Sequence, residues 1–252
     1  MEDNLIKVGR LLRNSKRVLF ITGAGVSAES QIPTFRGATA AFPDGKTEEG
    51  LSFEEVLSGS TFINNPKLSW KYFLRLELSI RGKEPNAAHV AMAALQNPRR
   101  HVCVATQNIE GLHKRAGSKN VLELHGNLLR GICTNCEYSV CLETFESVSS
   151  VPICPQCSAL LRPDIVLYEE SLPATVLEDF ELEQEKGFDL VFSVGTTSLF
   201  HYVTQPVRAA VRRGTPVVEI NPEKTPISEW ADFRFAEPAG ETMQRLMKEM
   251  ET

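Results

Sequence analysis

The sequence predicts an α/β fold: a doubly wound parallel sheet with a smaller second lobe. Three observations carry that expectation. Short β-branched runs alternate with helical patterns, a glycine-rich turn follows the first run directly, and two stretches break the rhythm. Strands that alternate with helices build parallel sheets covered on both faces.

Taken in order, Leu5, Val8, Leu11 and Leu12 recur at helical spacing and predict an amphipathic helix over 3–14. The apolar run 17–22 predicts the first strand, with Gly23-Ala-Gly25 turning the chain at its end. Similar runs predict strands over 101–106, 121–124, 188–194 and 215–220. Helical patterns lie around 87–96, 200–213 and 239–251. Residues 37–85, with a helical fragment from Pro66 to Leu78, and residues 130–160, with paired cysteines, read as insertions that form the small lobe. The remaining segments, 1–36, 86–129 and 161–252, read as the main lobe.

The chain has 252 residues, 42% apolar and 23% charged, which suits one globular unit with a full core. A net charge of −5 argues against a general attraction to nucleic acid or anionic lipid. The start Met1-Glu-Asp-Asn-Leu is acidic and lacks a continuous apolar run, unlike a secretory signal or a transit peptide. The expectation is an intracellular, cytoplasmic protein, by default a monomer. Six cysteines could pair as disulfides, but four of them sit in two C-x-x-C pairs, which suggests metal in a reducing compartment.

Gly23-Ala24-Gly25-Val-Ser-Ala28 fits G-x-G-x-x-[G/A], a turn that allows close backbone approach to a pyrophosphate. Glycine turns without a nucleotide are common, and the usual acidic residue about 20 positions on is missing. Asp44 has that spacing but sits in a Pro-Asp-Gly turn. Cys133-Thr-Asn-Cys136 and Cys154-Pro-Gln-Cys157 form C-x2-C-x17-C-x2-C, two knuckles that present four thiolates to one zinc ion. Four protein ligands leave no open position, so the metal is expected to be structural. Cys141 offers a competing sulfur, and Cys103, inside a strand run, reads as an apolar filler.

Ligands of doubly wound sheets gather outside the carboxyl ends of the strands. The clusters there are Gly23-Ala-Gly25, Gln107-Asn108-Ile109-Glu110, His125-Gly126, Gly195-Thr196-Thr197-Ser198 and Asn221-Pro222-Glu223. Together they describe a polar cleft with one imidazole. Of the five histidines, only His125 follows a strand inside it, where a ring can serve as general base.

These residues resemble the sirtuin signature. Gly23 to Ser30 with Ile32-Pro-Thr-Phe-Arg-Gly37, Thr106-Gln-Asn-Ile109, Gly111-Leu-His113, Leu124-His-Gly126, both cysteine pairs, Leu161-Arg-Pro163, Gly195-Thr196, Ile220-Asn-Pro222 and Ala239-Gly-Glu241 match it. The matches are collinear from about residue 18 to 245. The resemblance implies a Rossmann-like lobe, a zinc lobe, and a cleft where NAD meets an acylated lysine. It places Gly23, Ala24, Gly25 and Ala28 at the pyrophosphate, and Phe35 and Arg36 on a cofactor loop. Gln107, Asn108, Ile109 and Glu110 fall at the nicotinamide ribose and its pocket. Gly195, Thr196, Thr197, Asn221, Pro222 and Glu223 fall at the adenosine half, with Ala239 beside the adenine.

The implied reaction starts with attack of the acyl-lysine carbonyl oxygen on the nicotinamide ribose as nicotinamide leaves. His125 then acts as general base on the ribose hydroxyls, with Asn108 beside it. The products are free lysine, nicotinamide and O-acyl-ADP-ribose. The substrate peptide is expected to add as a strand along Ile165-Val166-Leu167-Tyr168.

Several positions depart from the family. Gln31 and Glu169 stand where glycine is usual, and Glu110 replaces an aspartate. Ser198-Leu-Phe-His-Tyr202 lacks the usual Pro-Ala helix start. Tyr72-Phe-Leu-Arg75 has the Tyr-x-x-Arg spacing that clamps acidic acyl chains, but a gapless count puts Phe73 and Leu76 at the clamp positions. The expectation is therefore an apolar acyl chain, acetyl or longer. Two alternatives stand beside deacylation: mono-ADP-ribosyl transfer or NAD hydrolysis in the same cleft, and a weakly active NAD- and zinc-binding scaffold.

Overall fold

The structure, a computed structural model, describes residues 2–33, 46–142 and 151–251. Phe35, Arg36 and Asp44 lie outside the described residues. Helix α1 (Glu2–Asn14) leads into β1 (Arg17–Thr22), and a short 3₁₀ helix (Ala24–Ser30) follows the Gly23 turn. The helical insertion holds α2 (Phe53–Val56), α3 (Gly59–Asn64) and α4 (Pro66–Ile80). The chain returns through α5 (Ala87–Ala94), β2 (His101–Thr106), α6 (Leu112–Arg115) and β3 (Asn120–Glu123). Strands β4 (Gly126–Cys133), β5 (Ser139–Cys141) and β6 (Leu161–Ile165) follow. The last part is α7 (Ala174–Glu185), β7 (Leu190–Val194), α8 (His201–Arg212), β8 (Val217–Ile220), β9 (Phe233–Phe235) and α9 (Ala239–Glu251).

Six parallel strands form the main sheet in the order β3-β2-β1-β7-β8-β9. The chain winds outward from β1 to β3 and later returns to the other side of β1 at β7. The order therefore reverses between β1 and β7, where doubly wound sheets bind ligands. Alternation along β1 serves both faces. Val18 and Phe20 pack with α1, α5 and α9, while Leu19 and Ile21 pack with α7 and α8. Phe20 stacks on Phe192 across the β1–β7 pair, centroids 4.6 Å apart.

A second, antiparallel sheet has the order β5-β4-β6. Strand β4 crosses the expected boundary at 129/130. Strand β6 pairs with it, so Leu161–Ile165 belongs to the small sheet although the main lobe was expected to resume at 161. The pairing explains this placement: β6 hydrogen-bonds to β4 beneath the cysteine knuckles. The small lobe has its own core, with Phe53, Phe62, Trp70 and Phe73 from the helices against Leu128, Ile165 and Leu167. The Trp70 indole N–H donates to the Leu161 carbonyl at 3.1 Å, tying α4 to β6.

Candidate functional site

Three glycines build the floor of the cleft at the switch point. A Cβ on Gly25 would lie 2.8 Å from Gly195 Cα, and one on Gly195 would lie 2.3 Å from the Val26 nitrogen. Gly195 also has φ of +59°, a left-handed conformation suited to glycine. The two loops therefore pack backbone against backbone. The N–H groups of Gly23 and Gly25 are spent on the Val194 and Gly195 carbonyls, at 3.1 and 2.8 Å. Those glycines supply close approach between loops, and their own N–H groups are already committed. Ala24 is half-buried and Ala28 is exposed on this rim.

Behind the floor, Ser27, Asn108 and Glu110 form a buried knot. The Ser27 hydroxyl donates to Glu110 Oε1 at 2.5 Å, and Asn108 Nδ2 donates to the same oxygen at 2.9 Å. Burial raises the Glu110 carboxyl above its usual range, against the lowering effect of those bonds. His89 and His113 face each other at 4.7 Å beside Ser27 and Thr22. Burial takes His89 down to about 4 and His113 well below its usual value, so both rings are neutral. Ser27 was not singled out from the sequence; its place within the Gly23–Ala28 turn was the available signal.

His125 sits between β3 and β4, half-buried. Burial lowers it, while a main-chain hydrogen bond to Gln107 favours the charged ring. Its Nε2 lies 2.6 Å from the Tyr202 hydroxyl on α8. Gln107 Nε2 donates to Thr196 Oγ1 at 2.7 Å, and Asn221 Nδ2 donates to the Thr196 carbonyl at 2.9 Å. These bonds link the β2, β7 and β8 loops into one wall. Ile109 is half-buried, Thr197, Pro222 and Glu223 are exposed, and Ala239 is buried at the start of α9.

The segment Ile165–Tyr168 lies against this site, for the Val166 N–H donates to the His125 carbonyl at 3.0 Å. Much of its main chain is already paired. Tyr168 bonds Leu57 and Gly59, and Leu167 bonds Glu170. A full strand ladder along all four residues would compete with these bonds. Both glycine replacements adopt left-handed backbone, Gln31 at φ +59° and Glu169 at +73°. Glu169 also accepts the Ser60 N–H at 3.1 Å.

The Tyr72 hydroxyl bonds Glu49, and Arg75 bonds Glu48. Phe73 and Leu76 lie in the small-lobe core with Ile165 and Leu167. In the knuckles, the four sulfurs of Cys133, Cys136, Cys154 and Cys157 all lie within 4.8 Å of one another. Cys133 and Cys157 are 3.3 Å apart, and Cys136 and Cys154 are 3.7 Å apart. Tetrahedral zinc with bonds of about 2.3 Å sets sulfur edges of about 3.8 Å, so the set fits. The Asn135 N–H donates to Cys133 Sγ at 3.3 Å, which favours a thiolate. Cys141 is exposed and outside the group. Cys103 is buried, its thiol pushed up to about 12 by burial, which suits a filler and not a nucleophile.

Fold and site together define a dinucleotide-binding α/β protein with a four-cysteine zinc module. The Sir2 family profile matches residues 23–201. The NAD-dependent protein deacylase 2 of Pseudomonas aeruginosa is 40% identical, over 95% of this chain and 94% of its own. A Sir2 homologue solved with NAD superposes with a TM-score of 0.87 at 35% identity, covering 97% of this chain and 93% of that one. A Sir2 variant with a deacetylated p53 peptide and 3′-O-acetyl-ADP-ribose reaches 0.83 at 29% identity, covering 96% and 97%. The chain belongs to the Sir2 family, the sirtuins.

Proposed function

We propose that His125 is the general base of an NAD-dependent deacylation of protein lysines, carried out in the cleft between the β1, β2, β3 and β7 loops. As a sirtuin, the chain is an NAD-dependent protein deacylase. The observation that carries the residue assignment is the position of His125. Its ring meets Tyr202 and Phe200 at the start of α8 while its carbonyl holds Val166 of the expected peptide segment.

NAD, when bound, supplies an electrophilic ribose carbon with nicotinamide as its leaving group. The chain does the rest by position. His125 accepts a ribose hydroxyl proton at Nε2, with its neutral form favoured by burial. Asn108 stands at the same end of the sheet, its amide oriented by Ser27 and Glu110. The glycine floor brings Gly195 and Thr196 within reach of the adenosine half, with Thr197, Asn221, Pro222 and Glu223 on its rim and Ala239 at the adenine. The acylated peptide lies along Ile165–Tyr168, a segment whose main chain is already partly paired. The zinc module orders the knuckles that support β4 and β6.

Tyr72 and Arg75 are held by Glu49 and Glu48, which supports an apolar acyl chain over an acidic one. Among the described residues no helix is long and apolar enough to cross a membrane. Four metal-binding thiolates suit a reducing compartment, and a cytoplasmic location is proposed on that ground.

The test is a panel of acetyl-, butyryl-, succinyl- and myristoyl-lysine peptides with NAD, followed by mass spectrometry, with His125→Ala alongside. NAD-dependent loss of an acyl group that disappears in the variant supports the assignment. NAD consumption without deacylated peptide would replace it with ADP-ribosyl transfer or NAD hydrolysis. Undiminished deacylation by His125→Ala would remove the base role, and a succinyl preference would overturn the acyl assignment.

A further inference from the structure

The contact between His125 and Tyr202 has no part in the chemistry described above, yet it involves the one ring nitrogen that chemistry needs. A neutral imidazole has a single accepting nitrogen. The Tyr202 hydroxyl lies 2.6 Å from Nε2, and the two rings meet edge to face at 5.8 Å and 78°. Phe200 stacks on Tyr202 at 5.4 Å and 11°, and its own ring meets His125 edge-on. Tyr202 stands in the first turn of α8. That helix is pinned, since Val203 and Val207 are fully buried. The Tyr202 ring is half-buried, at the margin of the core that holds the helix.

We propose that Tyr202 masks the base: its hydroxyl holds the Nε2 lone pair that a ribose hydroxyl must take, so productive cofactor binding has to displace the phenol. Burial lowers His125 and raises Tyr202, so both groups are neutral; the ring's bond to main-chain Gln107 favours a donating ring nitrogen, and a neutral ring has only one, which leaves Nε2 to accept from the phenol. The phenol thus meets the tautomer that reacts and occupies the place of the reacting hydroxyl. Tyr202 is a positioning residue that works through His125, and the idea rests on His125 being the base.

The experiment is Tyr202→Phe, which keeps the stacked ring and removes only the hydroxyl. Affinity for ADP-ribose, read by calorimetry, and kcat/KM for NAD are expected to rise about 2- to 10-fold, the span of one net hydrogen bond. In a His125→Ala background the same substitution is expected to leave ADP-ribose affinity unaltered, because the contested nitrogen is gone. Unfolding temperature and near-UV circular dichroism check that the variant is folded. A fall in kcat as deep as that of His125→Ala would overturn the proposal and make the phenol a proton carrier. Unchanged affinity would also overturn it, as would an affinity gain that persists without His125. Full turnover by His125→Ala would instead sink the base assignment, whatever Tyr202→Phe does.

Discussion

Gly195→Ala tests the claim that the switch-point floor depends on backbone-to-backbone contact. Gly195 has φ of +59°, and a left-handed L-residue costs about 1–2 kcal/mol. The new Cβ would also fall 2.3 Å from the Val26 nitrogen and 2.5 Å from the Gly25 carbonyl carbon. Neither is the end of a flexible side chain, so a loop must shift. That shift strains the 2.8 Å bond from the Gly25 N–H to the Gly195 carbonyl. Losing that half-buried bond adds about 0.5–1.5 kcal/mol, for a total of about 1.5–3.5 kcal/mol before the clash itself is counted. In a chain of this size that lowers Tm by about 3–14 °C.

Gly214→Ala provides the control. Gly214 has φ of +68° and nothing within 4 Å of a Cβ, so it carries the strain alone. Its expected loss is about 1–2 kcal/mol, or roughly 2–6 °C. Differential scanning calorimetry of both variants, with NAD binding, separates the two costs. Equal losses in the two variants would refute the close-approach argument, as would unimpaired NAD binding by Gly195→Ala.

Three further outcomes are expected. Chelation of zinc, or Cys154→Ser at a buried knuckle, should release one ion per chain and shift the emission of Trp70, which is anchored to β6; retained emission with the metal gone would contradict the structural role. The acid limb of kcat/KM should lie below pH ~6.5, because burial lowers His125 and its neutral form is the proposed base, so activity falls only as pH drops through that lowered value; a limb above pH ~7 would contradict it. Gln31→Gly should stabilise the chain by up to about 1 kcal/mol by relieving its left-handed backbone, checked by urea unfolding, with a lower midpoint refuting the strain.

Much of the parallel sheet was legible because its strands are buried runs. β1 and β2 were expected at 17–22 and 101–106 and occupy those residues. Strand β9 escaped notice, since Phe233–Phe235 is three residues long and offers no run. Helix α7 escaped for a different reason: it buries only Phe180 fully, so it has almost no apolar stripe to read. The small sheet was hidden because β6 pairs with a strand about 30 residues away, and no local pattern encodes that partner. Glu169 was marked as standing where glycine is usual; that its backbone is left-handed, and that it accepts the Ser60 N–H, came from the structure.

The sequence by itself determined the alternation that makes a doubly wound sheet, the four zinc ligands, and the family. Each is written in local spacing: period-2 and helical runs, two C-x-x-C knuckles, and a set of short collinear motifs. Only the tertiary structure decided that Ser27, Asn108 and Glu110 share one buried knot, that Gly25 and Gly195 touch through their backbones, and that Tyr202 lies on His125. These contacts join residues 77 to 170 positions apart, apart from the neighbours Asn108 and Glu110. Chain spacing carries no information about such pairs; the strand order β3-β2-β1-β7 sets the loops after these strands side by side, and packing then makes each hydrogen bond and each missing Cβ count.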